Sequence, residues 1–296
     1  MKTQKTILLV INPIAGGTDK KPIIDRFKTF VSENNYSAEV YETTGEDDKE
    51  AIDKLVDQIN PERVFISGGD GTIREVADVL KEKDVKIALL PSGSANGLAE
   101  NLDLPEDLED LLSIGLADHF IELDTLDVNG LTCLHIADIG VNAQLIKNYE
   151  QSEIRGKFGY LLQAFPTLVS NKFPFEVSLT VNGETLEKEA ILVAIANANK
   201  FGTGANINPQ GRMNDGKFEV LIFKNFSITE ILKTFYGSTN LDPDFVEVIC
   251  CTEVEIKTSE AIALQVDGEY LGEETVVKAR MNPHKINIAV PAGFKL

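Results

Sequence analysis

The chain has 296 residues, of which 43% are hydrophobic, and a formal net charge of −19 at pH 7. This length allows one or two domains with a substantial core, and the acidic balance disfavours nucleic acid, whose binding depends on basic surface that neutralises phosphates. The three cysteines form no disulfide framework, and neither a signal peptide nor an apolar stretch that could span a bilayer is evident. The sequence therefore predicts a cytoplasmic protein.

The first 124 residues alternate strand-like and helix-like segments, as a parallel sheet covered by helices requires. We predict five strands, at 6–11, 38–42, 63–67, 86–90 and 120–124. Helical spacing of apolar residues predicts four helices, at 22–34, 48–59, 73–81 and 108–116. Residues 1–124 are therefore expected to form an α/β domain.

After about residue 125 the apolar pattern changes to period two, which is typical of strands with one buried face. It predicts strands at 175–181, 190–196, 217–223, 253–257 and 261–266. The pairs Asn129-Gly130 and Asn182-Gly183 are typical of hairpin turns. Two helices are predicted as well, at 157–168 and 229–236. The interpretation is a second, β-rich sandwich domain over residues 125–296, whose last strand at 285–290 could pack back on the first domain.

Three predicted strands of the first domain run into loops of small residues, at 12–17, 68–72 and 91–97. In an open parallel sheet such loops meet at the carboxyl ends of the strands, so they predict one shared ligand site. Glycine lets backbone N–H groups approach an anion closely, and the helix after residue 72 adds its positive N-terminal dipole. A lone Gly-Gly-Asp-Gly could equally be an ordinary turn, but the three loops together favour a phosphate site. The loops lack both the Walker lysine and the dinucleotide glycine spacing.

These motifs, with those at 206–209, 214–216 and 266–269, resemble the diacylglycerol kinase catalytic family. That family includes bacterial lipid kinases and sphingosine kinases and is related in its nucleotide domain to NAD kinases. The resemblance covers nearly the whole chain. It implies an ATP-dependent, Mg²⁺-requiring lipid kinase that transfers the γ-phosphate to the hydroxyl of a lipid alcohol, with nucleotide bound by residues 1–124 and lipid by residues 125–296.

The resemblance also implies which residues contact the nucleotide. They are Asn12, Thr43, Gly68, Gly69, Asp70, Gly71, Thr72, Glu75, Ser94 and Asn96. Asn12 and Ser94 can donate hydrogen bonds to phosphate oxygens. Thr43 could equally be an ordinary strand end, and Glu75 could simply complement the dipole of its helix.

Phosphoryl transfer requires a group that accepts the proton of the attacking hydroxyl. Asp267 and Glu269 alternate on a segment expected to be extended, so both should point to one face, and the resemblance assigns the proton acceptor to this pair. Without the resemblance the segment would be a solvated hairpin turn. Asp70 remains a rival, because its carboxylate near the γ-phosphate would repel the nucleotide unless Mg²⁺ or a substrate hydroxyl lay between them.

A metal site is implied in the loop at 212–218. There Asp215, with main-chain carbonyls near Arg212 and Lys217, resembles the family loop that holds a structural Mg²⁺. Without the resemblance this loop would be only a turn.

The acceptor lipid stays open among diacylglycerol, a sphingoid base and another lipid alcohol. Gly97 stands where many bacterial relatives have aspartate, which resembles the sphingosine kinase branch, but Asn142 and Gln144 stand where relatives often have the acidic residues that a sphingoid amine would need. The two alternative functions are a non-catalytic lipid-binding protein that retains the fold and a relative of NAD kinase.

A lipid substrate implies peripheral contact with a membrane. No Lys or Arg lies between Lys86 and Lys147, an interval rich in Asp and Glu, so this acidic region should face away from an anionic bilayer. The sequence leaves the oligomeric state open, a homodimer included.

Overall fold

We describe the protein from a computed structural model. The structure describes residues 4–93, 96–150, 173–201, 205–235 and 241–295. The predicted helix at 157–168 and the predicted site residue Ser94 lie outside these ranges. Among the helices of the described ranges, none is long and apolar enough to cross a lipid bilayer.

The strands and helices are named in chain order. The strands are β1 (Thr6–Ile11), β2 (Ser37–Glu42), β3 (Arg63–Gly68), β4 (Lys86–Pro91), β5 (Phe120–Leu123), β6 (Leu126–Val128), β7 (Leu131–Cys133), β8 (Ile136–Gly140), β9 (Phe175–Val181), β10 (Glu184–Ala190), β11 (Leu192–Ala196), β12 (Lys200–Phe201), β13 (Ala205–Asn206), β14 (Phe218–Phe223), β15 (Val246–Cys251), β16 (Glu253–Val266), β17 (Glu269–Met281) and β18 (Ile286–Ala289). The helices are α1 (Lys21–Glu33), α2 (Asp48–Ile59), α3 (Asp70–Leu80), α4 (Gly97–Asn101), α5 (Leu108–Leu116), α6 (Val141–Glu150) and α7 (Ile228–Phe235), with a short 3₁₀ turn at Ala15–Gly17.

The chain divides into two compact units. One comprises Met1–Leu123 with His284–Leu296, and the other comprises Asp124–Pro283. The division falls one residue before the predicted boundary, and the C-terminal segment belongs to the first unit. There β18 pairs in parallel with β4 and antiparallel with β5.

The first unit is built on a six-stranded sheet in the order β2-β1-β3-β4-β18-β5, parallel except for its last pair. Residues Ile7 to Ile11 of β1 are fully buried, as expected when helices cover both faces of a parallel sheet. Helix α1 packs there through Phe27, whose ring lies 5.4 Å from that of Phe65 in an edge-on contact. The predicted strands and helices of this unit agree with the structure to within a few residues at each end, and only the short helix α4 was not predicted.

The second unit is an antiparallel sheet of ten strands. Its larger apolar core receives residues from β8, β9, β11, β14, β16 and β17, and a smaller cluster includes residues of β11 and β14 with Phe245. Both predicted Asn-Gly hairpins are present, joining β6 to β7 and β9 to β10. The mixed fold, with a parallel sheet followed by an antiparallel β-sandwich, is the predicted one.

One long strand replaces two predicted strands in this unit. The predicted strands at 253–257 and 261–266 are both parts of β16, whose pairing with β17 shifts in register between Lys257 and Ile262. One half of β16 pairs with β9 and the other with β8, so the irregularity lies where the strand changes partners. The apolar alternation is interrupted there, which is why the sequence predicted a break. Helix α6 and strands β8, β12, β13, β15 and β17 were not predicted.

Candidate active site

The three small-residue loops of the first unit come together, as predicted. A Cβ added at Gly93 would lie 2.5 Å from Cα of Gly69, and one added at Gly16 would lie 2.4 Å from the carbonyl oxygen of Ser92. The Ser92 N–H also donates to the Gly68 carbonyl at 2.9 Å. The loops therefore touch through their backbones, which only residues without a side chain permit at these positions.

Asn12 orients the hydroxyl of Thr72. The Asn12 side-chain oxygen accepts from the Ile14 N–H at 3.1 Å, so its amide nitrogen faces Thr72 and donates to Oγ1 at 3.1 Å. Since the hydroxyl accepts this bond, its own proton can be donated elsewhere. An anion above the loop is a suitable acceptor.

Helix α3 begins inside the Gly-Gly-Asp-Gly-Thr motif. Gly69 is its N-cap with an extended backbone, and the first helical bond runs from the Ile73 N–H to the Gly69 carbonyl. The N–H groups of Asp70, Gly71 and Thr72 precede that bond and have no partner within the helix. They form an N-terminal donor group of the kind to which anions bind.

Asp70 is held by the start of the neighbouring helix. Its two carboxylate oxygens accept from the N–H groups of Gly97 at 2.8 Å and Leu98 at 3.1 Å, the first residues of α4. These donors stabilise the negative charge of Asp70. From the sequence we expected Mg²⁺ or a substrate hydroxyl to lie against this charge.

The other predicted nucleotide residues of this unit lie around the same loops. Asn96 exchanges two side-chain hydrogen bonds with the Gly93 backbone, at 2.8 and 3.1 Å, so its amide shapes the third loop. Thr43 follows β2 and donates its N–H to the Ile11 carbonyl at 2.9 Å, which places it beside the first loop. Glu75 is half-buried on α3.

Asp267 and Gly268 form the two-residue turn between β16 and β17, across which Val266 pairs with Glu269. Both turn residues have positive φ, 48° and 87°, as in a type I′ hairpin turn. The predicted extended segment with both carboxylates on one face is therefore wrong, because the chain reverses between the two acidic residues.

The Asp267 carboxylate is 1% exposed and is bound by the backbone of three consecutive residues. Its oxygens accept from the N–H groups of Leu134 at 2.7 Å, His135 at 3.0 Å and Ile136 at 3.1 Å, and Nδ1 of His135 lies 2.7 Å from Oδ1. Burial acts to raise the pKa of Asp267, but His135 and the backbone donors outweigh it and the pKa lies below its ordinary value. Glu269, by contrast, is only half-buried.

Asp215 lies at the surface in the turn before β14. Its Oδ1 accepts from the Lys217 N–H at 3.1 Å, while the buried Asp124 accepts from the Gly216 N–H at 2.6 Å. In the described part of the chain no three His, Cys, Asp or Glu side chains cluster as a metal site would require. The predicted set needs only one carboxylate and two main-chain carbonyls, and such an exposed all-oxygen set suits a hard cation that keeps several waters.

Sequence reasoning missed three buried polar residues of the second unit. Asp138 and Asn197 are 0% exposed and Gln265 is 1% exposed. Asn197 donates to the carbonyls of Asp124 at 2.8 Å and Leu134 at 2.7 Å. Because Asp124 also accepts from the Gly216 N–H, Asn197 connects the turn that contains Asp215 to the segment that binds Asp267. For Asp138 and Gln265 the available signal was a single polar residue inside an apolar strand, since its burial requires hydrogen-bond partners. Asn197 directly follows strand β11.

Two family models match the chain. The model described as diacylglycerol kinase catalytic domain matches residues 6–128, and the one described as YegS C-terminal NAD kinase beta sandwich-like domain matches residues 136–290, more than half of the chain. The chain belongs to the diacylglycerol kinase catalytic family. The protein is therefore a lipid kinase, and the predicted kinase fold and enzyme class are confirmed.

Individual relatives match along most of their length. A diacylglycerol kinase of Bacillus subtilis is 25% identical over 280 residues, which cover 90% of this chain and 91% of that one. A diacylglycerol kinase of Staphylococcus carnosus is 23% identical over 301 residues, covering 99% and 97%. The crystal structure of a diacylglycerol kinase from Bacillus anthracis superposes with a TM-score of 0.74 over 100% of both chains at 18% identity, which supports the fold alone.

Proposed function

We propose that this lipid kinase transfers the γ-phosphate of ATP to the hydroxyl of diacylglycerol. The observation that carries the proposal is the convergence of three small-residue loops on the N-terminus of α3, which presents backbone donors to a polyphosphate. A kinase family implies ATP as the donor. The relatives named diacylglycerol kinase support the acceptor.

In this proposal the residues of the three loops have different functions in binding ATP. The N–H groups of α3 at Asp70, Gly71 and Thr72 bind phosphate oxygens, with the Thr72 hydroxyl as a further donor. Gly68 and Gly69 keep the backbone close, and Asn12 and Ser94 complete the phosphate site. Asn96 shapes the third loop, while Thr43 and Glu75 contact the rest of the nucleotide.

The second unit supports diacylglycerol over a sphingoid base. A sphingoid amine needs a carboxylate partner, but Asn142 occupies one position where an acid would be expected, and its amide already donates to Asp138 at 2.7 Å. Asp138 itself is fully buried. A neutral acceptor such as diacylglycerol makes no such demand.

We assign proton acceptance to Glu269. The lipid hydroxyl oxygen forms a bond to the γ-phosphorus, the bond from that phosphorus to the bridging oxygen of ADP breaks, and the hydroxyl proton passes to the Glu269 carboxylate. Asp267 is buried, its oxygens accept from backbone N–H groups and its pKa is lowered, so it is poorly placed to take up a proton. In this assignment Asp267 holds the turn and Asp70 holds the start of α4.

We place Mg²⁺ at the Asp215 turn, held by the Asp215 carboxylate and the main-chain carbonyls of Arg212 and Lys217. A divalent cation there would supply positive charge that orders this loop. The proposal also includes peripheral contact with a membrane, because diacylglycerol resides in the bilayer.

The test is ATP-dependent phosphorylation of dispersed diacylglycerol and sphingosine, with Mg²⁺ present and then chelated. We expect a Mg²⁺-dependent product from diacylglycerol alone. Glu269→Gln should lower kcat by about 100-fold or more, the scale of a lost general base, while lipid binding persists. Glu274→Gln, the same change at an exposed position of the same strand, is the control.

Two results would contradict the proposal. Full turnover by the Glu269→Gln variant would remove the assignment of the base. Lipid and ATP binding without any product in the wild-type protein would favour the non-catalytic alternative.

A further inference from the structure

A buried hydrogen-bond network surrounds Asp138 on β8, a residue to which the proposed reaction gives no role. Its carboxylate accepts from the Asn142 side chain at 2.7 Å, from the Ala143 N–H at 3.0 Å and from the Gln265 side chain at 2.5 Å. All three neighbours are donors and an ionised carboxylate only accepts, so the set is complementary. Asp138 thereby links the first turn of α6 to strand β16.

The orientation of the Gln265 amide is fixed by its second partner. The Gly268 N–H donates to Oε1 of Gln265 at 2.7 Å, and a backbone N–H can only donate, so the oxygen must face Gly268. The amide nitrogen then faces Asp138, which must accept. If the Gln265 amide were turned so that its oxygen and nitrogen changed places, it would lose both bonds. The bond to Asp138 therefore keeps the Gln265 oxygen facing the Gly268 N–H.

The turn at Asp267 and Gly268 is thus held at both residues, one through the N–H groups of residues 134–136 and the other through Gln265. The other two-residue hairpin turns of this unit differ in their surroundings. Asn129 and Asn182, which also have positive φ, are exposed to solvent. A type I′ turn closes a hairpin by its own backbone preference, so a buried ionic network goes beyond what the hairpin needs.

Glu269, the first residue of β17, comes directly after this turn. We propose that Asp138 is a positioning residue for phosphoryl transfer, which acts through the Gln265 amide to fix the Asp267-Gly268 turn and with it the position of Glu269. This inference rests on the proposed role of Glu269 as the proton acceptor. It gives Asp138 and Gln265 a positioning role in the reaction.

The contacts from Asp138 through Gln265 to Gly268 can be tested by exchanging the carboxylate and the amide between positions 138 and 265. In Gln265→Glu, assayed above pH 7 so that Asp138 is ionised, one oxygen still accepts from Gly268, but the other faces the Asp138 carboxylate, and two like charges in contact repel. We expect kcat to fall by about 10-fold or more, in line with the cost of a small misplacement of a reacting group, with KM for ATP unchanged. Adding Asp138→Asn places an amide nitrogen opposite the new carboxylate and should restore most of the lost kcat.

A second readout monitors the turn itself and needs no activity. Hydrogen exchange of the Gly268 N–H should accelerate in Gln265→Glu and slow again in the double variant. The exposed turn at Asn182 and Gly183 is the internal control, whose exchange should not change. If Gln265→Glu does not fold, Gln265→Met removes the same contact without adding charge and should also show faster Gly268 exchange and lower kcat.

The results separate this inference from the proposed function. If the Gly268 exchange rate is unchanged in Gln265→Glu or Gln265→Met, or if the double variant is as slow as the single one, the inference is wrong. A fall in kcat accompanied by an equal change in KM for ATP would also overturn it. If Glu269→Gln keeps full turnover while Gly268 exchange responds to the substitutions, Asp138 holds the turn but Glu269 is not the base.

Discussion

Gly16 and Gly17 are adjacent residues with nearly the same backbone, φ of 63° and 65°, in different surroundings. A Cβ at Gly16 would lie 2.4 Å from the Ser92 carbonyl oxygen, whereas nothing lies within 4 Å of one at Gly17. Both alanine variants carry the left-handed strain of about 1–2 kcal/mol. Only Gly16→Ala should also force the first and third loops apart.

We therefore expect Gly16→Ala to raise KM for ATP several-fold and to lower the melting temperature more than Gly17→Ala does. Steady-state kinetics and thermal unfolding of the two variants measure this difference. Equal effects in the two variants would mean that the contact between the loops does not matter for ATP binding.

The protonation of Asp138 should make the stability of the protein depend on pH. Burial raises the pKa of Asp138 from 3.8 to about 7, against the effect of its three hydrogen-bond donors. Below pH 3.8 the group is protonated in both the folded and the unfolded chain. Between the two values only the folded chain keeps the proton, so the stability from this group is lost as pH rises towards 7.

Asp138→Asn removes this titration and leaves the other groups in place. The melting temperature of the wild-type protein, relative to that of the variant, should therefore fall as pH rises from 3.8 to about 7. A constant difference between the two proteins over this range would contradict a raised pKa at Asp138.

The surroundings of single residues also distinguish the two acids of one sequence motif. Asp267 and Glu269 look equivalent in the sequence, but Asp267 is 1% exposed and fully bound, while Glu269 is half-buried. Spacing predicted that both acids point to one face of an extended segment, which the turn at Asp267 and Gly268 contradicts. It could not predict which one the fold would bury, because the donors to Asp267 come from residues 134–136.

Among the elements, α5 packs on the sheet through a glycine. A Cβ at Gly115 would lie 2.3 Å from Cε1 of Phe65 and 2.8 Å from Cβ of Ala88. Gly to Ala in an exposed helix stabilises by about 1 kcal/mol, but here the added methyl group has no space. We expect Gly115→Ala to destabilise the protein by about 1–3 kcal/mol, the usual cost of overpacking.

Phe65→Leu should relieve this clash. In urea unfolding, the double variant Gly115→Ala/Phe65→Leu should lose less free energy of unfolding than the sum of the two single variants. Additive losses, or a Gly115→Ala protein that is more stable than wild type, would show that the helix can shift away from the sheet.

The pattern of elements was predictable wherever local periodicity was unbroken. The buried strands of the first unit and the helices between them have strong periods, and their prediction is confirmed. Strand β17 was missed because its first half carries exposed glutamates at Glu273 and Glu274 and no alternation. Strand β17 forms because its backbone pairs with β16, and the pattern of its side chains does not indicate this pairing.

At the scale of the whole molecule, the net charge of −19 should determine how strongly the protein binds membranes of different charge. Without ATP, so that the lipid is not consumed, we expect stronger binding to zwitterionic vesicles containing diacylglycerol than to the same vesicles with added anionic lipid. Salt should reduce this difference, because it screens the repulsion. Sedimentation of protein with vesicles measures both effects, and tighter binding to anionic vesicles at low salt would contradict the expectation.

The sequence by itself determined the two sheet types, the three loops of small residues and the order of motifs, because each of these depends on residues close together in the chain. The tertiary structure alone decided which acidic residues are buried and which remain accessible. Gln265 and Asp138 are 127 residues apart, and Asp267 and Leu134 are 133 apart. No local period carries information over such distances, since those contacts form only when the strands of the second unit pair and exclude water from the groups between them.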